Sequence, residues 1–210
     1  MPDTVASLYE QLFPLTTVMK QRMVETFSGD SLDGRWTTEN FGGTGTFVMQ
    51  DEVDGGYKIM TEGTDTTAVA IHFNNIRQYA YNASEIITVY EPIHTTLITV
   101  DAGFANDVSN VTALNMAVSR IDETSTFFQL ATADNSTSTQ TDSSISASAG
   151  YKTHKVACGS SNVIYYLAGV SEVTKTTNLP TLKMQPYFFC RTESNGARQP
   201  RILYCEAYNT

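Results

Sequence analysis

From Phe27 onward, apolar residues recur at every second position in short runs separated by turn-forming residues. A period of two is the strand period, and about a dozen such runs predict an all-β fold. Thr67–Phe73 places Val69, Ile71 and Phe73 on one face and Ala68, Ala70 and His72 on the other. Ala113–Ile121 alternates Leu114, Met116 and Val118 against Ala113, Asn115, Ala117 and Ser119. Nothing between the runs reads as a crossover helix, which argues against a parallel α/β sheet. The lack of a fixed-period repeat argues against a solenoid or propeller. The expectation is an antiparallel two-sheet jelly-roll sandwich.

The hairpin at Gly45–Thr61 is the best-defined unit. Thr46–Gln50 and Tyr57–Thr61 flank an acidic turn ending in Asp54-Gly55-Gly56, residues that supply the backbone angles of a tight turn. Other expected strands are Glu85–Glu91, Thr95–Asp101, Thr126–Thr132, Tyr151–Cys158, Asn162–Ala168, Ser171–Thr176, Met184–Thr192 and Arg201–Tyr208. In the last of these, Leu203, Cys205 and Ala207 are expected to point inward. Ala133–Ser148 is rich in Ser, Thr, Asn and Asp and reads as an exposed loop with at most a short strand.

Residues 1–26 read differently. Leu8, Leu12, Leu15, Met19 and Met23 recur at helical spacing, while Pro14 interrupts them. The division expected is an arm over 1–26, helical in two pieces or extended, and a sandwich over 27–210. An apolar stripe of this kind packs on its own domain or docks on a neighbouring subunit.

The net charge of −9 opposes binding to nucleic acid or to an anionic membrane. No apolar run is long enough to span a bilayer as a helix, and the first ten residues lack the pattern of a signal peptide. Cys158, Cys190 and Cys205 lie in strand-like settings and read as buried free thiols; one disulfide with a spare thiol is the alternative.

The order F-S-G-D-S-L-D-G-R-W (27–36), G-T-G-T-F (43–47), D-E-V-D-G-G-Y-K-I-M-T (51–61), I-H-F-N-N-I-R-Q-Y (71–79), L-A-G-V (167–170), N-L-P-T (178–181) and the terminal Y-C-E-A-Y-N-T resembles the concanavalin A-like lectin/glucanase sandwich. The form it resembles is the laminin-G-like one found in structural proteins of tailed viruses. The likeness spans 27–210 and departs from the pattern at Ala168, where the pattern has Asp. It implies a virion structural protein at the particle surface, assembled in the host cytoplasm, with capsid or tail proteins as partners. The arm would then attach or oligomerise it, a trimer being favoured. The alternative is a carbohydrate-binding, lectin-like module for host surface glycans.

Candidate sites follow from the same likeness. Retaining glucanases of this fold carry E-x-D-x-x-E on one strand, their outer carboxylates acting as nucleophile and acid/base about 5 Å apart. Glu52-Val53-Asp54 supplies half of that pattern, and Gly55 to Lys58 lack the second glutamate. No catalytic residue is therefore expected, and the chain is expected not to be an enzyme. Lectins of the fold use loop carboxylates for sugar hydroxyls or Ca²⁺ and an aromatic ring for the sugar face. The glycan or Ca²⁺ candidates are Asp51, Glu52, Asp54, Asp101 and Asp107, with Tyr79 and Tyr81 as platforms. No metal-ligand spacing is present, and no cofactor other than Ca²⁺ is suggested. Trp36 is expected in the core, His72 and His154 as structural histidines, and Arg77 as a buried ion-pair partner.

Overall fold

The computed structural model describes residues 21–28, 30–50, 56–64, 66–108, 115–135, 137–193 and 196–210. These residues hold β1 (Arg22–Glu25), β2 (Thr37–Phe41), β3 (Thr46–Met49), β4 (Tyr57–Met60) and β5 (Ala68–His72). Then come β6 (Ser84–Pro92), β7 (Ile98–Ala105), β8 (Asn115–Ile121), β9 (Phe127–Asp134) and β10 (Thr137–Ser146). The last are β11 (Lys152–Cys158), β12 (Val163–Leu167), β13 (Val170–Lys175), β14 (Gln185–Thr192) and β15 (Pro200–Asn209). All named pairings are antiparallel.

The strands form two sheets. Sheet A has the order β13-β12-β11-β6-β15-β4-β3, with β1 also on β15; sheet B has the order β10-β9-β8-β7-β14-β5-β2. Between them lies one core to which alternate residues of both sheets contribute, including Ile86, Tyr90, Val156 and Tyr165 from sheet A and Ile71, Phe104, Phe128 and Phe188 from sheet B. Burying each such side chain contributes about 1.5–3 kcal/mol.

One end of that core is an aromatic cluster. Phe27 lies 5.4 Å from Trp36 and 6.0 Å from Phe188, and Trp36 meets Phe73 edge-on at 5.5 Å. The Glu25 carboxylate joins the cluster to β1, accepting from the Phe27 amide at 3.0 Å and from the Trp36 indole at 3.3 Å. The expected place of Trp36 is therefore the observed one.

The start of the described chain is extended, the second of the two alternatives for the arm. Met23, expected on the arm, sits in β1 and is buried, while Arg22 and Val24 are exposed. Its register with Ala207 of β15 imposes a period of two where the sequence suggested one near four. Leu8, Leu12, Leu15 and Met19 lie outside the described residues. β10 is a second departure: the Ser/Thr-rich interval is a ten-residue edge strand. Its pairing with β9 gives backbone hydrogen bonds to polar residues that need no apolar face.

The register of β15 shifts between Ile202 and Tyr204. Ile202 is thereby buried and Leu203 only half-buried, which corrects the inward placement of Leu203, while Cys205 and Ala207 are buried as expected. The β3–β4 hairpin forms with Phe47 opposite Ile59 and Met49 opposite Tyr57. Ala168 and Gly169, with φ of +50° and +85°, make the two-residue turn between β12 and β13. Cys158, Cys190 and Cys205 are free and buried.

Candidate functional site on sheet B

Sheet B is apolar on both faces. Its outer face, turned away from sheet A, carries Ala70, Ala105, Met116, Val118, Ala131 and Phe189 among others, all buried in a second cluster. Strand alternation explains the split, since Ala117 and Ile121 of β8 face the main core while Met116 and Val118 face out.

The pairing registers put the polar residues of this outer face into rows that cross the sheet. In one row Asp142 (β10), Gln129 (β9), Arg120 (β8) and Asp101 (β7) stand side by side. The row continues through Phe189 (β14) and Ala70 (β5) to Glu39 (β2). The next row starts at Gln140 and reaches Gly103, Tyr187 and His72. Gly103 allows β8 to approach closely: a Cβ there would lie 2.5 Å from the Ala117 carbonyl oxygen.

Arg120 and Asp101 form a bidentate pair, with Nε to Oδ1 and Nη2 to Oδ2 both at 2.7 Å, and both side chains are buried. Burial opposes the charge on Arg120, but the Asp101 carboxylate outweighs it and raises the guanidinium pKa above its ordinary value. Arg120 Nη1 also donates to Gln140 Oε1 at 3.3 Å, and Gln129 Nε2 donates to Asp142 Oδ1 at 2.7 Å. Tyr187 stacks on Phe189 at 6.1 Å. Burial, followed by the Asp101 charge, raises its phenol pKa; Asp107 and Glu39 act in the same direction, and Arg120 opposes them.

Among the described residues, Gln129 Oε1, Gln185 Oε1 and both ring nitrogens of His72 are buried without a hydrogen bond of ordinary geometry, although the Gln185 amide is near enough to act on the His72 ring as a hydrogen-bonding neighbour. His72 Nε2 is 3.8 Å from Glu39 Oε1, too far for a hydrogen bond. Burial lowers the His72 pKa, with Glu39 and Gln185 opposing, so the ring is neutral near pH 7. The centre of the face is closed to solvent, while its rims are open: Gln140 and Asp142 of β10 are exposed and Glu39 of β2 is partly so. Gln129 and His72 each lie one strand in from a rim.

The expected site residues divide accordingly. Asp101 is not a loop ligand but a strand residue neutralised by Arg120, and Asp107 follows β7 close enough for its charge to act on Tyr187. Tyr79 is no platform: it is buried between the sheets, 5.2 Å from Phe104, because the isolated bridge to Met184 turns it inward. Tyr81 is exposed in the turn before β6. Arg77 is exposed, and the arginine of the buried ion pair is Arg120. Asp51, Glu52 and Asp54 lie outside the described residues. Among the described residues no group of three or more His, Cys, Asp or Glu converges as a metal site. Arg120, Gln129, His72, Tyr187 and Glu39 were missed as site residues. The available signal was a lone charge within each of two consecutive apolar strands, Asp101 and Arg120.

Solved structures share this architecture. The Bacillus licheniformis β-glucanase matches with a TM-score of 0.64 at 10% identity, over 90% of this chain and 98% of its own. The concanavalin A-like sandwich is the fold of this chain. The Crh5 transglycosylase matches with a TM-score of 0.63 at 12% identity, over 90% of this chain and 84% of its own. The Emp47p carbohydrate recognition domain matches with a TM-score of 0.59 at 8% identity, over 90% and 94%. No protein-family model and no curated protein sequence matches. The expectation that the chain is not an enzyme is corrected by these neighbours, since a glucanase and a transglycosylase share its architecture. That expectation rested on the hairpin of β3 and β4, which belongs to sheet A, whereas Asp101, Arg120 and Glu39 stand on sheet B.

Proposed function

We propose that this chain recognises carbohydrate on the outer face of sheet B. The observation that carries the reading is the buried polar atoms of Gln129 and His72 that lack an ordinary hydrogen bond among the described residues, each one strand in from an open rim. A buried polar atom without a partner costs about 1–3 kcal/mol, and sugar hydroxyls donate and accept in the directions such atoms leave open. Entry is from the rims, where Gln129 and His72 are one strand away. The Emp47p carbohydrate recognition domain and the glucanase among the structural neighbours support a carbohydrate ligand.

A glycan array, followed by calorimetry on the best neutral oligosaccharide, tests the reading. Binding is expected to weaken about five- to tenfold in Gln129→Leu, which removes the amide beside the rim. Absence of binding to any glycan, with and without Ca²⁺, refutes it. A second reading is cleavage or transfer of glycosidic bonds, favoured by the hydrolase and transferase neighbours and by Glu39 beside His72. It predicts reducing-sugar release or chain transfer that Glu39→Gln abolishes. Display on a virus particle, with capsid or tail proteins as partners and the arm as the attachment, is a further proposal resting on the motif order alone. A mass-spectrometric inventory of purified particles tests it.

A further inference from the structure

We infer that the two rims of sheet B are subsites for an amino-bearing saccharide, so that affinity runs from cationic through neutral to acidic glycans. The inference rests on the carbohydrate reading and adds the charge class of the ligand. Each rim pairs an accessible carboxylate with a buried polar side chain that has unfilled hydrogen-bonding capacity: Asp142 with Gln129 at β10, and Glu39 with His72 at β2. The cations of the face are committed. Arg120 is held by Asp101 in two hydrogen bonds, and Arg191 is paired with Glu193, which also accepts from Thr99. His72 is neutral near pH 7, and the nearby Asp107 adds a further negative charge around Tyr187. A glycan carboxylate or sulfate would enter against Glu39 and Asp142 with no described cation on the face left to receive it. A sugar ammonium would meet a carboxylate while a neighbouring hydroxyl fills the open valence on Gln129 or His72.

Calorimetry with glucosamine, glucose and uronate oligomers of equal length, at pH 7 and two salt concentrations, tests this. One charge pair near 4 Å in water is worth roughly a fivefold change in affinity. The glucosamine oligomer is therefore expected to bind about fivefold more tightly than the glucose oligomer for each rim engaged. The gap should shrink in 1 M salt, where the screening length falls to about 3 Å. Glu39→Gln and Asp142→Asn should each remove one rim's share of the gap, and circular dichroism confirms that the variants are folded. Equal or tighter binding of the uronate oligomer overturns the charge ordering and leaves the carbohydrate reading standing. Binding of none of the three overturns the carbohydrate reading and this inference with it.

Discussion

Replacing His154 by phenylalanine should remove a definite part of the protein's sensitivity to acid. The imidazole is buried between the sheets, stacked on Tyr90 at 4.2 Å and against the edge of Phe128 at 5.1 Å. Its Nδ1 is 2.8 Å from the Tyr165 hydroxyl, and its Nε2 has no partner among the described residues. Burial, with a smaller contribution from the charge of Lys152, lowers its pKa from 6.5 to about 3. The unfolded chain takes up a proton near pH 6.5, whereas the folded chain resists it until about pH 3. The stability contributed is thus complete above pH 6.5 and is lost as the pH falls through that window. The limiting slope is about 1.4 kcal/mol per pH unit, which integrates to about 2.3 kcal/mol between pH 6.5 and 4.5. Urea unfolding followed by the fluorescence of Trp36, the single tryptophan, measures it in both proteins. Carboxylates and the other histidines titrate alike in the two chains, so the difference in slope isolates His154. The variant should start about 1–3 kcal/mol less stable at pH 7.5, because the Tyr165 hydroxyl loses its partner, and then fall less steeply. Parallel pH curves for the two proteins would refute the buried neutral imidazole.

The remaining predictions concern the ion pair and the thiols. Arg120→Met leaves the Asp101 carboxylate buried and alone and should cost about 3–5 kcal/mol by chemical denaturation, while adding Asp101→Leu should recover most of the loss. Cys158, Cys190 and Cys205 are buried, and burial raises the pKa of Cys158 to about 12, so native protein should resist a thiol reagent. After unfolding without reductant all three should react; a count of one would instead reveal a disulfide.

The sandwich was legible because its strands alternate cleanly. Val69, Ile71 and Phe73 share the main core while Ala68 and Ala70 join the outer cluster, the division the sequence pattern suggests. β10 was illegible because its stability comes from backbone pairing with β9, and composition does not report that. Met23 was misplaced because a four-residue strand is too short to establish a period against the leucines upstream. The site was only half legible. A lone Asp101 in one strand and a lone Arg120 in the next are visible in the sequence, but their pairing depends on a register that no local pattern encodes. The row from Asp142 to Glu39 depends on six pairings, three of which bring together strands distant in sequence.

The places of β14 and β15 have a consequence for how the protein is made. β15 separates β6 from β4, and β14 separates β7 from β5, so each late strand joins two groups made earlier. On the ribosome, each sheet therefore exists as two unjoined halves with raw edges until these last segments emerge. Such edges are templates for pairing with other chains, and closing them late makes folding slow and dependent on distant contacts. Tertiary structure should arrive in one step once β14 and β15 have both emerged. A cut before Gln185 should leave open half-sheets that aggregate, not a smaller version of the domain.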